Sequence, residues 1–410
     1  MKALVFGAYP DEMPPQPPDD APKLVRHLAA TPMVLQDIPD PKPFGPDWAV
    51  IRPRMTGICG SDTKQVLMDY EHGDDSPMTA FISFPQVLGH EVVATIEELG
   101  PDVEGFELGQ RVVLNPWLSC APRGITPLCP SCEAGDWSLC WSFFDGRVSR
   151  GIHTGTSSDA TGGFAELVPA HRQMMIPVPD EVADEVAVLG DPFAVSLHAI
   201  TRNPPPPGGK AIVYGAGALG TCATAILRAL YPTVDVVTIA AWDAQAKVAE
   251  RLGATVFRPE PREELIEQLA DWSGGVLRRP WGGLPLCFPG FVDVVYDTIG
   301  APATFEVDMR VLKARGTMVQ LGLYTWTRGE FSPLYFKEIR WVGSNAFGIE
   351  EVDGVRKHGI AHYLDLAASG RIDLTGMLTH TFPLDDWRDA WMTLIDQEHT
   401  GAIKVAFDFR

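Results

Sequence analysis

The sequence predicts an α/β protein in which a doubly wound parallel-sheet domain is joined to a second, β-rich domain. Three observations lead there. A short apolar strand, Ala211–Tyr214, runs into glycines at 215, 217 and 220 and then into an almost uncharged helix, Ala218–Leu230. After it, strand-like and helix-like segments alternate, the pattern of a parallel sheet built from crossover units. Before it, short strand-like runs are punctuated by Gly, Pro and Asp. A chain of 410 residues also exceeds what a single core usually holds, so two domains are expected.

Taken in order, Met1–Phe6 reads as a strand and residues 9–24, rich in Pro and Asp, as a loop. Pro32–Ile38 and Trp48–Arg54 alternate as strands, and Met55–Asp62 is a glycine-punctuated turn holding a cysteine. Thr63–Asp69 reads as a short helix and His72–Ser76 as a polar loop leading to FPQVLGHE at 84–91. Glu91–Leu99, Gln110–Leu114 and Gly162–Pro169 are strand-like, and the irregular residues 115–140 carry four cysteines. A helix begins over Val182–Leu189, is interrupted by Asp191-Pro192 and resumes over Phe193–Thr201. The PPPPGG stretch at 204–209 is a stiff connector.

Past the glycine turn, Asp235–Ala240 reads as the second strand, with helices over Asp243–Leu252 and Glu263–Trp272. Residues 273–290, rich in Gly, Pro and Trp, read as an inserted loop that serves as a surface flap or an oligomer contact. Phe291–Asp297, Gly316–Leu321 and Ile339–Gly343 are further strands, with a helix over Ala303–Lys313. Val355–Ser369 and Leu384–Asp396 read as amphipathic helices and Ala402–Phe409 as a closing strand.

Composition narrows the function. The chain is 45% hydrophobic and 21% charged, as globular proteins are, and carries a net charge of −20. That acidity disfavours a nucleic-acid partner, which would select a basic face. The N-terminal residues lack a charged segment followed by a long apolar one, and no apolar run is long enough to span a bilayer, so a cytoplasmic protein is expected. Seven cysteines, four of them clustered, favour metal ligation over a disulfide framework.

The glycine turn has the context of a dinucleotide-phosphate cradle: strand, G-x-G-x-x-G, helix. Gly215 makes the turn, Gly217 lets the pyrophosphate approach the backbone, and Gly220 lets helix and strand pack, while the first helical residues Ala218 and Leu219 present N–H groups to the anion. Cys120, Cys129, Cys132 and Cys140 have C-x8-C-x2-C-x7-C spacing, and four thiolates in one loop satisfy a closed tetrahedral zinc site. Cys59 and His90 stand in two separate glycine turns, with Glu91 next to the histidine. Such a set suits an open zinc site, but a packed cysteine and a hydrogen-bonded histidine explain it equally well.

Together, GICGSD (57–62), GHE (89–91), the four-cysteine loop, GGFAE (162–166), DPF with His198, and GAGALG (215–220) closely resemble the zinc-dependent medium-chain dehydrogenases, which include alcohol, polyol and threonine dehydrogenases. The resemblance implies a GroES-like catalytic domain with a zinc lobe at 115–141 (residues 1–195), a Rossmann NAD(P)-binding domain (196–346) and a return to the catalytic domain (347–410). It implies two zinc ions per chain, NAD or NADP as cofactor, an alcohol or polyol substrate, and a homodimer or homotetramer. Cys59 and His90 resemble catalytic zinc ligands, Asp191 stands where the third ligand falls, and Glu91 is the neighbouring acid that binds zinc in some members. Asp62 resembles the acid that orients the zinc site, Ser61 the hydroxyl that touches the substrate oxygen, and Lys404 lies near a basic cofactor contact. Cys120, Cys129, Cys132 and Cys140 resemble the structural zinc lobe.

Three departures stand out. Eight residues rather than two separate Cys120 from Cys129. Thr63, Lys64 and Gln65 occupy the region where alcohol dehydrogenases carry a relay histidine. The second strand of the sheet ends in Ile239, Ala240 and Ala241, with neither the acid that selects NAD nor an arginine that favours NADP. The leading expectation is an oxidoreductase moving hydride between an alcohol and NAD(P). The alternatives are threonine- or polyol-type specificity, a zinc-free NADPH reductase, and a non-catalytic dinucleotide-binding protein.

Overall fold

The structure is a computed structural model, and it describes residues 1–10, 14–68, 77–323 and 329–410. The expected loop His72–Ser76 lies outside the described residues, as does the end of the expected helix at Asp69. The chain forms two compact units. The first comprises Met1–Asp191, Ile360–Ala368 and Leu378–Arg410; the second comprises Pro192–Gly359 and Ser369–Met377.

The first unit is built on a seven-stranded sheet. Its path runs Leu378–Phe382, Lys404–Asp408, Trp48–Gly57, Glu91–Leu99, Arg111–Leu114 and Met175–Pro177, with Val168–His171 also paired to Trp48–Gly57. Strand Trp48–Gly57 is buried along most of its length, and Trp48, Ala49 and Ile51 pack with Val92, Ala94 and Val112 in one core. A smaller sheet orders Met33–Asp37, Lys2–Phe6 and Gln86–Val87. Around it Leu4, Phe164, Trp387, Trp391 and Phe407 form a second core, so the C-terminal segment seals the N-terminal strand. Because Gly57 ends one strand and Glu91 begins its antiparallel neighbour, the two turns that carry Cys59 and His90 emerge at the same sheet end.

The second unit holds six parallel strands in the order Thr255–Phe257, Asp235–Ile239, Lys210–Tyr214, Val292–Asp297, Leu312–Gln320 and Arg340–Gly343. This is the doubly wound order, with the reversal beside Lys210–Tyr214. Helix Ala218–Leu230 buries Gly220 through Leu227 without a charged residue, which explains its composition.

Several local expectations need correction. Residues 23–30 of the N-terminal stretch form a helix, Lys23–Ala30. Asp191 and Pro192 do not interrupt a helix; they lie in the first turn of Gly190–Arg202, where proline has no N–H to lose. Residues 273–290 are not simply a loop, since Leu277–Arg278 pairs antiparallel with Leu286–Cys287. Val355–His358 forms a hairpin with Ile349–Val352, and the helix starts only at Gly359. At the two hairpins, pairing between strands outweighs local periodicity.

Candidate active site

Cys59 is the N-cap of helix Gly60–Val66, and Asp62 stands at its third position. The Cys59 backbone N–H donates to Asp62 Oδ2 at 3.1 Å. The other oxygen of the same carboxylate lies 3.6 Å from His90 Nδ1. One buried acid thus bonds the cysteine turn and faces the histidine ring. Burial works against the Asp62 charge, but the facing His90 keeps its carboxyl below the usual range. With Nδ1 turned toward Asp62, the second ring nitrogen is left for a metal, the usual arrangement for a ligating histidine.

Donor atoms of Cys59, His90 and Glu91 all lie within 4.8 Å of one another. Glu91 is 2% exposed and pairs with Lys404, also 2% exposed, whose Nζ donates in addition to Ile58 O at 3.0 Å. A Cβ on Gly57 would stand 2.2 Å from Glu91 Oε2, so only glycine lets that pair occupy the strand end. Asp191 is buried but lies outside this cluster of donors. Burial pushes its carboxyl up to about 7, against the pull of His90. Ser61 is exposed two residues beyond Cys59.

His153, read from the sequence as a loop residue, has its ring 4.6 Å from that of His90, centroid to centroid. Its Nδ1 meets Thr154 O at 2.6 Å, and burial, then the neighbouring His90, push its pKa down to about 3. A glycine-rich, polar local sequence gave no sign of this. Lys404, which the resemblance places near a basic cofactor contact, pairs here with the acid Glu91.

The four lobe sulfurs form the second cluster, each within 4.8 Å of the others. Cys120 Sγ and Cys140 Sγ are 3.6 Å apart. Tetrahedral zinc with Zn–S bonds of about 2.3 Å separates sulfurs by about 3.8 Å, so the spacing fits that ion. Backbone N–H groups of Cys129, Trp141 and Ser142 donate to Cys120, Cys129 and Cys140 sulfurs, as suits thiolates. The long Cys120–Cys129 spacing does not expel Cys120. The insertion carries Arg123, 1% exposed, whose guanidinium donates to the carbonyls of Leu118, Asp145, Val148, Ser149 and Gly151. It ties the extra loop to the lobe.

In the second unit Gly215 has φ +98°, and a Cβ on Gly220 would stand 1.9 Å from Gly215 O. A Cβ on Gly217 would meet nothing within 4 Å, so the backbone there is open to a ligand. The turn therefore fits a dinucleotide pyrophosphate. His198 is a bonded histidine, its Nδ1 2.5 Å from Glu350 Oε1. Cys222 and Cys287 are buried in the core of this unit. Arg258, which stands outside the second strand, reaches the end of that strand from its neighbour.

Comparisons with known proteins agree with this geometry. Residues 45–180 match the alcohol dehydrogenase GroES-like domain, and residues 218–358 match the zinc-binding dehydrogenase family. The chain is 28% identical over 380 residues to (R,R)-butanediol dehydrogenase of Saccharomyces cerevisiae, covering 89% of this chain and 92% of that one. It is 28% identical over 375 residues to L-threonine 3-dehydrogenase of Paraburkholderia xenovorans, covering 89% and 93%. The fold matches the crystal structure of 2R,3R-butanediol dehydrogenase from Bacillus subtilis with a TM-score of 0.73 at 21% identity, over 100% of this chain and 99% of that one. Among the described residues no helix is long and apolar enough to cross a membrane. With a GroES-like domain, a six-stranded parallel dinucleotide domain and both zinc-type clusters in one chain, the protein belongs to the zinc-type medium-chain alcohol dehydrogenase family, NAD(P)-dependent oxidoreductases acting on CH–OH groups.

Proposed function

We propose that Cys59, His90 and Glu91 hold the catalytic zinc, that Cys120, Cys129, Cys132 and Cys140 hold a structural one, and that the substrate is a secondary alcohol with a polar neighbouring carbon, such as a vicinal diol. The convergence of three donors, a half-buried Cys59 and the buried His90 and Glu91, from two turns at one sheet end carries the reading. It favours Glu91 over Asp191 as the third protein ligand, with Asp191 as a nearby buried acid. When bound, zinc supplies a Lewis acid that makes an alcohol oxygen acidic near neutral pH, and the nicotinamide supplies the hydride acceptor.

The chain's own residues do the rest. Asp62 fixes the His90 ring and the Cys59 turn. Lys404 balances the buried Glu91 charge. Ser61, exposed beside the cysteine turn, offers the hydroxyl through which a proton leaves. The butanediol and threonine dehydrogenases among the relatives support a polar group next to the reacting carbinol. Unpaired thiols in the lobe suit a reducing compartment such as the cytoplasm, and the family resemblance supports a homodimer or homotetramer.

The test is zinc content per chain together with turnover on secondary alcohols, diols and hydroxy-amino acids. Two zinc ions are expected in the unaltered protein. Cys59→Ser should retain one zinc and a folded chain while losing turnover. Wild-type turnover in Cys59→Ser would exclude the assigned site, and a single zinc lost on Cys132→Ser would redirect the reading to a zinc-free reductase.

A further inference from the structure

The adenosine ribose of a bound dinucleotide lies past the carboxyl end of the second strand of a doubly wound sheet. An acid there accepts a hydrogen bond from a free 2′-hydroxyl; a cation there matches a 2′-phosphate. In this chain that strand is Asp235–Ile239, followed by Ala240 and Ala241, whose methyl side chains can do neither. The neighbouring strand Thr255–Phe257 runs parallel to it, with Phe257 in register with Ile239. The next residue is Arg258.

Arg258 Nη1 donates to Ala240 O at 3.2 Å and to Ala241 O at 3.3 Å. The two carbonyls hold the guanidinium against the very backbone where the missing acid would stand. Nη2 donates to Asp243 Oδ1 at 2.5 Å. These three bonds leave two of the guanidinium's five N–H donors for a ligand, the Nε–H among them. The Arg258–Asp243 pair is exposed, 45% and 84% respectively, so opening it costs little. A phosphate dianion, with three acceptor oxygens and about twice the charge, outcompetes a solvated carboxylate for the same fork.

We propose that Arg258 is the residue that selects the cofactor, that it binds the 2′-phosphate, and that the protein uses NADP(H) in preference to NAD(H). Asp243 holds the guanidinium in place until the phosphate arrives. The assignment rests on reading the Gly215–Gly220 turn as the dinucleotide cradle.

Equilibrium binding to the zinc-loaded protein tests it without turnover, using NADPH against NADH and 2′,5′-ADP against 5′-AMP. The unaltered protein should bind NADPH and 2′,5′-ADP at least about tenfold more tightly than their counterparts. Arg258→Ala should lower affinity for NADPH and 2′,5′-ADP by about tenfold or more and leave NADH within about threefold. Asp243→Asn should leave NADH binding unchanged and NADPH binding at least as tight. Tighter binding of NADH by the unaltered protein overturns the assignment, and so does loss of NADH affinity in Asp243→Asn, which would make that acid the ribose acceptor. If neither dinucleotide binds, the cradle reading falls as well, an outcome distinct from a reversed preference.

Discussion

Lys404 and Glu91 form an ion pair in which each member is 2% exposed, joining the closing strand to the turn that carries His90. Removing one partner of a buried pair strands the other charge, at about 3–5 kcal/mol. Lys404→Met should therefore destabilise the protein by roughly that amount in urea unfolding. Combining Lys404→Met with Glu91→Gln should cost less than the sum of the two single changes, since no charge is then left alone.

Asp62 touches both metal-binding turns, through the Cys59 N–H and the His90 ring. Asp62→Asn keeps the shape but weakens the hold on His90 Nδ1. Zinc affinity of the catalytic site should drop by about 10- to 100-fold in chelator competition, while the four-cysteine site is unaffected.

Arg123 satisfies five carbonyls inside the lobe. Arg123→Ala leaves the buried carbonyls of Leu118, Val148 and Gly151 without this donor and should cost about 3 kcal/mol. Zinc should leave the four-cysteine site faster in the variant. Unchanged release would mean the insertion is independent of the lobe.

Asp308, on helix Pro302–Val311, is fully buried, and neither carboxyl oxygen has a hydrogen-bond partner among the described residues. Burial, then the nearby Asp297, raise its pKa well above the ordinary carboxylate value. An acid with a raised folded pKa holds its proton more tightly when native, so its effect on stability is absent at low pH and grows as pH rises above the unfolded value. Wild-type stability should fall relative to Asp308→Asn as pH rises above the unfolded carboxylate pKa of about 3.9, with the variant increasingly favoured toward neutral pH. Parallel stability–pH curves for the two proteins would contradict this.

Legibility in the sequence followed locality. The Cys129-x2-Cys132 knuckle, the glycine turn and the almost uncharged helix after it announce themselves because their residues act together within a few positions. The Cys59 and His90 turns were each visible, but not that they meet: that depends on the antiparallel register pairing Gly57 with Glu91. The hairpin at 277–287 and the strand at 355–358 escaped because two- and four-residue strands have too little periodicity to register.

By itself, then, the sequence determined the fold class, the four-thiolate loop and the dinucleotide turn, whose chemistry is written in short-range spacing. Tertiary structure alone decided that Glu91 rather than Asp191 joins Cys59 and His90, that Lys404 balances Glu91, that His153 lies against His90, and that Arg258 reaches Ala240. Each of these is a contact between residues brought together by strand pairing or by the returning C-terminal segment. Single-chain patterns carry no record of such contacts, because a side chain's partner across a sheet is set by register and not by its neighbours in sequence.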